Sequence, residues 1–436
     1  MTFLNFRSSP LRYLILAGAI HVALTMAIFL VGHFRLLPAT FDENGIGLTF
    51  AIDGTTYMRI ASGLVEDLKL TGLPGWLNAQ APLHSRLYSL LFATLGRLLG
   101  HNILAAEPLN LFCYLGILIC IYSLGREIFN ARAGLLAATI VGLWPSFLLH
   151  STQLMRDSFA VLCLLALMLV LTLLLTREFA WLRGISIGIG GAAIVTLFWI
   201  TRGNMWNVVL VAIAISIVLL VQRLIRERKF PAGNVIVLSA IVIAALFVPS
   251  RLQSSTLPGS RSPATPFAIP SATQPAPPEG VWTRAIRQMS DRRAGFRFFT
   301  SQVSNIDPHV RFNSFGDIVR FVPRAAVIGF FAPFPKMWFE SGKFGLAVRL
   351  GSGLETLVMY FLYVAAAFCL WRERGNLKMW FLFLVATIGI VALGLIVVNA
   401  GALYRIRYVF WMMLIVIAAQ GILNYLTTRR TTSMKS

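Results

Sequence analysis

Acidic residues are scarce in this chain. Its 436 residues hold 17 Asp and Glu against 38 Lys and Arg, and only 13% of them are charged. Soluble domains carry about a quarter charged residues, so a water-soluble globular domain is excluded. Cysteine is nearly as rare. Cys113, Cys120, Cys163 and Cys369 all lie inside apolar runs, with no CxxC and no metal-ligand spacing. They read as small apolar residues, not as disulfides or a zinc site. There is no GxxxxGK[ST], and no GxGxxG following a strand pattern, so no phosphate-cradling nucleotide loop is visible. What the chain has in quantity is hydrophobicity, 57% of residues, with a net charge of +21. In a soluble protein that balance would point to nucleic acid. In so apolar a chain the placement of Lys and Arg reports membrane topology first, and no nucleic-acid partner is expected.

A membrane span needs about 20 mostly apolar residues. Runs of that kind fall near 11–34, 106–125, 133–150, 158–176, 184–200, 205–222, 234–249, 351–371, 379–398 and 408–426, which predicts an all-α polytopic membrane protein. The first run is too long for a signal-peptide core and lacks a small-x-small cleavage site, so it is expected to stay as a span. With the N-terminus inside, every cytoplasmic connection carries at least two basic residues: Arg7 and Arg12, Arg126 and Arg132, Arg177 and Arg183, the run Arg223 to Lys229, Arg372 to Lys378, and Arg429 to Lys435. The outer connections between closely spaced spans have one or two at most. That asymmetry predicts a multi-pass protein of the inner (plasma) membrane with both termini in the cytoplasm.

Two apolar segments, 85–100 and 319–339, carry arginines inside the run. They are expected to lie on or partly in the outer leaflet, apolar face down. The domain layout expected is therefore a membrane module over 1–249 with a first outer loop at 35–105, an outer region at 250–350, and C-terminal spans over 351–436. Within the outer region, 254–280 is rich in Ser, Pro, Thr and Ala and has the composition of a mobile loop. Residues 250–350 hold 13 basic and 5 acidic residues, a balance that suits lipid headgroups or an anionic ligand such as a lipid phosphate, a pyrophosphate or an acidic glycan.

The acids on the outer face are then the chemical candidates. Asp53 and Tyr57 stand at i and i+4, share a helix face, and Ala61 continues it. The bland role of Asp53 is a helix N-cap. Asp157, next to Arg156, opens the fourth span, where an acid also suits the helix dipole. Glu107, before Pro108 at a span start, has that same dipole reading. An ionisable residue at membrane depth is a functional candidate by default, and two acids facing one cavity suit base-assisted or metal-assisted group transfer. Arg405 and Arg407, flanked by Tyr404 and Tyr408, offer forked donors to a phosphate or serve as an interfacial anchor. They do not share a helix face, so one can anchor while the other points at a site. Arg202 in the turn TRGN is a weaker candidate of the same kind.

The order of these features resembles the bacterial protein-mannosyltransferase-like and aminoarabinose-transferase-like proteins of the GT-C glycosyltransferase class. The residues that carry the resemblance are Asp53-Gly-Thr-Thr-Tyr57, APLHSRLYSLLFATLGRLLGHN after Gln80, LGREIFNARAGLLAA, and Pro145 followed by Asp157. It covers roughly residues 10–230, with an echo at LYRIRYVF. Family members often have Asp-Glu at the first-loop site. Here Gly54 follows Asp53, while an Asp-Glu pair stands earlier at Asp42-Glu43, so the choice of acid is between Asp53, which Tyr57 and Pro82 favour, and Asp42.

The resemblance implies a bundle of about 10–12 helices with outer juxtamembrane helices, and transfer of a sugar from a polyprenyl-phosphate donor to an acceptor hydroxyl. The acceptor would be a lipid, glycan or protein. Asp53 would act as base and Asp157 as a second catalytic or positioning acid. Tyr57, Asp42, Glu43, His84, Arg86, Arg156, Arg202, Tyr404, Arg405 and Arg407 would line the substrate site. No cofactor is fixed by it; where members of the class use a divalent cation, Asp53 and Asp157 would hold it. A polysaccharide polymerase or O-antigen ligase is the alternative, with its chemistry in RAIRQMSDRRAGFR and His309. A transporter or flippase would need polar or broken helices at midplane, and the spans here are strongly apolar.

Overall fold

The computed structural model describes residues 10–37, 41, 48, 52–228, 231–252, 280–298, 304–339 and 345–433. Asp42, Glu43 and the 254–279 part of the Ser/Pro-rich piece lie outside these residues. Among the described residues every regular element is a helix. They are α1 (Pro10–His33), α2 (Ile52–Asn78), α3 (Leu83–Leu99), α4 (Ile103–Ile128), α5 (Ala131–Gly142), α6 (Pro145–Ser151), α7 (Arg156–Thr176), α8 (Trp181–Arg202), α9 (Trp206–Glu227), α10 (Ala232–Arg251), α11 (Val281–Phe298), α12 (Phe315–Phe331), α13 (Pro335–Trp338), α14 (Gly345–Arg372), α15 (Leu377–Ile396), α16 (Ala400–Ile406) and α17 (Tyr408–Ser433). The chain forms two compact units. The first takes Met1–Ser255, Leu362–Val385 and Met412–Ser436; the second takes Thr256–Phe361 and Ala386–Trp411.

By length and composition, 8 helical stretches among the described residues can cross a membrane, or 9 if the bent pair α5 and α6 is one span. One stretch runs for 47 residues, Trp181–Glu227. At about 1.5 Å per residue a straight helix of that length would be roughly twice as long as the hydrocarbon core. Its contacts show that it folds back instead. Gly184 lies against Gly233, Gly188 against Val237 and Gly191 against Ile241, so α8 and α10 run parallel. Near the end of α9, Arg223 donates to the Leu174 carbonyl at 3.3 Å and the Arg177 carbonyl at 3.5 Å, just ahead of the start of α8. The chain therefore reverses at the short 3-10 turn Gly203–Met205. Counted as two crossings, α8 and α9 bring the total to the ten that the apolar runs predict.

The third predicted span, 133–150, is not one straight helix. Its halves α5 and α6 meet at a bend of 68°. Trp144 is extended because a residue before proline avoids the helical region, and Pro145 restarts the helix at its first position. The break leaves carbonyls without helical partners. Tyr114 donates to the Gly142 carbonyl at 2.8 Å; one turn earlier, Tyr13 adds a second donor to the Ala138 carbonyl at 2.6 Å.

The α4–α5 hairpin explains the run LGREIFNARAG. A Cβ on Gly134 would fall 2.3 Å from the Tyr122 carbonyl oxygen, and one on Gly125 would fall 2.5 Å from the Gly134 Cα. Only glycine at both positions lets the two helices touch backbone to backbone. Asn130 caps α5 by accepting from the Arg132 and Ala133 amides at 3.0 Å each.

The basic connections of the first unit gather at one end. Arg177 pairs with Glu127 at 2.6 Å, Asn376 donates to the Ile128 carbonyl at 3.1 Å, and Arg372 donates to Thr428 at 2.6 Å. At the opposite end, α2 and α3 pack over α1, α4 and the segment after α6 through Ile28, Ala61, Val65, Phe92, Ile103 and Leu154. Leu70, Leu73, Leu77, Leu90 and Leu98 of this pair are left exposed.

In the second unit α12 runs antiparallel to α15, with Ala325 against Gly394 and Gly329 against Ile390. Its Tyr360 neighbour on α14 donates to the Phe331 carbonyl at 2.6 Å. The C-terminal half of α12 thus packs along α15 and against α14.

Candidate functional site

The site is assembled at the α2–α3 end of the first unit. Asp53 and Tyr57 do stand on one helix, α2. Asp53 falls inside its first turn instead of at the cap position, so the N-cap expectation is corrected while the favourable dipole position remains. Tyr57 and Ala61 are buried, at 1% and 0% exposure. The space beside Gly54 is taken by Gln153 and the Leu154 carbonyl oxygen, 3.6 Å from where a Cβ would be. The Asp53 turn therefore rests on the segment that leads into α7.

That segment, 152–155, is held from three sides by buried polar groups. Asn110 of α4 donates to the Thr152 carbonyl at 3.0 Å and accepts from the Tyr88 hydroxyl of α3 at 2.6 Å. Gln153 donates to the Thr152 hydroxyl at 3.0 Å, and its own oxygen accepts from the Leu48 amide at 3.4 Å. Ser151 is 3.0 Å from His21 Nε2. The other ring nitrogen, Nδ1, is 2.8 Å from Glu107, and Thr25 donates to the second Glu107 oxygen at 2.8 Å. Glu107 is thus the partner of a fully buried His21. Its position is the fifth residue of α4, where Asn102 already supplies the cap, so the first-turn dipole reading gives way to a buried hydrogen-bonded cluster. The sequence signal was a lone His in an apolar run, and ionisable groups at membrane depth mark partners by default.

Next comes Arg156-Asp157. Asp157 sits in the first turn of α7, 7% exposed. Its carboxylate is paired with Arg202, the last residue of α8, itself 5% exposed. The TRGN turn so delivers a cation to the acid 45 positions earlier, a partnership the sequence does not announce. Arg156 beside it is half-buried.

His84 completes the group. Its ring packs edge-on to Tyr57, with centroids 4.2 Å apart. It is 2% exposed, and neither ring nitrogen has a hydrogen-bond partner among the described residues. Burial, helped by the Arg156 charge and opposed by Asp157, pushes its pKa down from 6.5 to about 3. His84 is therefore neutral at any physiological pH. Because the unfolded chain takes up a proton near pH 6.5 and the folded one does not, stability holds above pH 6.5 and falls as pH drops toward 3. The loss should reach about 2 kcal/mol by pH 5. His84→Phe should shrink the difference in detergent-solubilised melting temperature between pH 7 and pH 5. An unchanged difference would contradict a neutral His84.

Arg86 has another task. Its guanidinium donates to the carbonyls of Trp76, Leu77, Ala79 and Ala81 and lies over the Trp76 ring. It closes the C-terminal end of α2. Among the described residues no cluster of three or more His, Cys, Asp or Glu side chains could hold a metal ion. The Asp157 carboxylate, one of the two that would hold a divalent cation, is engaged by Arg202.

Tyr404, Arg405 and Arg407 belong to the second unit. Arg407 is wholly buried: it donates to the Gly329 carbonyl at 2.7 Å and lies 3.9 Å above the Trp411 ring. Arg405 is half-buried, and Tyr404 donates to Glu355. Arg293, on the helix RAIRQMSDRRAGFR, is also buried and donates to the carbonyls of Leu395, Asp307 and Val310 at 2.8, 2.9 and 3.3 Å. His309 is exposed. The four cysteines are free and buried, as small apolar residues.

The described residues thus form an all-α polytopic membrane protein with an acid in the first turn of α2 and a buried acid–arginine pair between α7 and α8. Residues 83–249 match the family model of dolichyl-phosphate-mannose-protein mannosyltransferases, and that region is similar to membrane glycosyltransferases of the mannosyltransferase kind. The match spans α3 to α10. It starts later than the resemblance read from the sequence, so it contains His84, Arg86, Arg156, Asp157 and Arg202 and leaves out α2 with Asp53 and Tyr57. No curated protein matches the chain.

Proposed function

We propose that the protein transfers a sugar from a polyprenyl-phosphate donor to an acceptor hydroxyl at the outer face of the cell membrane, with inversion, and that Asp53 is the base. The observation that carries this reading is the packing of the Asp53 turn onto the segment leading to Arg156-Asp157, with His84 of the family-matched region against Tyr57. In the proposed step Asp53 takes the proton of the acceptor hydroxyl as its oxygen attacks the anomeric carbon. The bond from that carbon to the phosphate oxygen breaks, and polyprenyl phosphate leaves with the electron pair. Arg156 balances the departing charge. Asp157, fixed by Arg202, orients the acceptor. The gathering of the basic connections at the far end of the unit supports the outward orientation.

The test is transfer from a radiolabelled polyprenyl-phosphate hexose by purified protein. Loss of transfer in Arg292→Ala with full transfer in Asp53→Asn would replace this reading with the ligase-like one, though Arg293 of that segment is already engaged by three carbonyls. For sidedness, a Ser271→Cys variant should label from outside intact cells. Labelling only after lysis would reverse the orientation.

A further inference from the structure

At the end of the first unit away from Asp53, the termini of α7 and α9 and the α14–α15 turn enclose a half-open cavity of about 530 Å³. Its polar lining is Thr176, Gln222, Arg223, Arg226, Glu227, Asn376 and Lys378. The charges there do not cancel. Arg223 is met by Glu227 at 3.0 Å and by Glu178 at 3.9 Å. Arg226 and Lys378 are in no ion pair among the described residues, and they come from helices far apart in the chain. Arg226 is exposed and Lys378 half-buried, so both are open to a ligand. Asn376 is fixed in place by its bond to the Ile128 carbonyl at 3.1 Å, which sets the Lys378 side of the cavity.

The rest of the lining is apolar: Leu175, Leu219 and Leu377, at the ends of three spanning helices. A cavity with two cations outside any ion pair among the described residues at its polar rim, one of them (Lys378) also within the field of Glu127, and leucines in its wall suits an amphiphile with an anionic head. Segregation of Lys and Arg to one side of the membrane explains why basic residues lie at this end. It does not explain a cavity that joins two of them from separate helices with an apolar wall.

We propose that this cavity binds the phosphodiester headgroup of an anionic phospholipid, held by Arg226 and Lys378, as a site separate from the Asp53 end. Basic pockets between spanning helices recognise such headgroups by charge, each cation near the surface contributing about fivefold in affinity. The full-length protein in detergent, stripped of lipid, should retain phosphatidylglycerol over phosphatidylcholine when titrated under native mass spectrometry. The double variant Arg226→Ala/Lys378→Ala should weaken that retention roughly 25-fold, and each single variant, Arg226→Gln or Lys378→Met, about fivefold. Arg126→Ala/Arg132→Ala removes the same charge from the same end outside the cavity and should stay within about twofold of the parent. Equal loss in the two double variants would reduce the site to a diffuse basic face. Equal retention of phosphatidylcholine, or displacement of phosphatidylglycerol by millimolar inorganic phosphate, would overturn the lipid assignment.

Discussion

Asp53→Asn is expected to lower the turnover number for sugar transfer by about 10²–10⁴, the range general-base catalysis contributes, while donor binding and melting temperature stay close to those of the parent. The substitution keeps size and hydrogen-bonding capacity and removes only the ability to accept a proton. The small stability effect follows from position. Asp53 is half-buried in the first turn of α2, where an acid is favoured by about 0.3–1 kcal/mol, so loss of the charge there is a minor structural event. A structural Asp53 would show the reverse pattern, with melting temperature and turnover falling together. Asp42→Asn is the companion measurement. Asp42 lies outside the described residues, and loss of turnover in Asp42→Asn with retention in Asp53→Asn would move the base to the earlier acid.

The connection between α4 and α5 was legible as a basic link between two apolar runs, and the constraints that shape its hairpin are local. Two glycines, a capping Asn and a tight loop are all within one short run, and each has a backbone reason to be there. The apolar runs were legible for a similar reason, since a span is a property of contiguous residues. Pro145 was visible too, yet the run 133–150 reads as one span because hydropathy has no term for direction, and the 68° bend comes from the residue before the proline.

The partners of the site were not legible, because they join residues distant in sequence. Asp157 and Arg202 are 45 positions apart, and His21 and Glu107 are 86 apart. Each alone has a sufficient local explanation: a dipole acid, a turn arginine, a stray histidine, an acid before proline. Only packing of α1, α4, α6, α7 and α8 turns four such residues into two buried pairs. Arg86 shows the converse. The resemblance placed it among the residues lining the substrate site, but a guanidinium has five donors, and the carbonyls at and just past the end of α2 occupy them.

The second large effect is expected at the Asp157–Arg202 pair. Removing one partner leaves a charge buried without its counter-ion, which costs about 3–5 kcal/mol. Arg202→Met should therefore be poorly expressed or strongly destabilised, since Asp157 would remain at 7% exposure beside an apolar side chain. Asp157→Asn strands Arg202 in the same way. The double variant Asp157→Asn/Arg202→Met removes both charges, and replacing a buried pair by neutral groups of similar volume is often close to neutral for stability. The double variant should then recover the melting temperature of the parent to within a few degrees. Its activity separates the two roles of the pair. If Asp157 orients the acceptor, the well-folded double variant stays depressed in turnover by about 10² or more, the scale on which small misplacements of reacting groups act. If the pair only ties α7 to α8, turnover returns with stability, and Asp157 leaves the list of residues that meet the substrate.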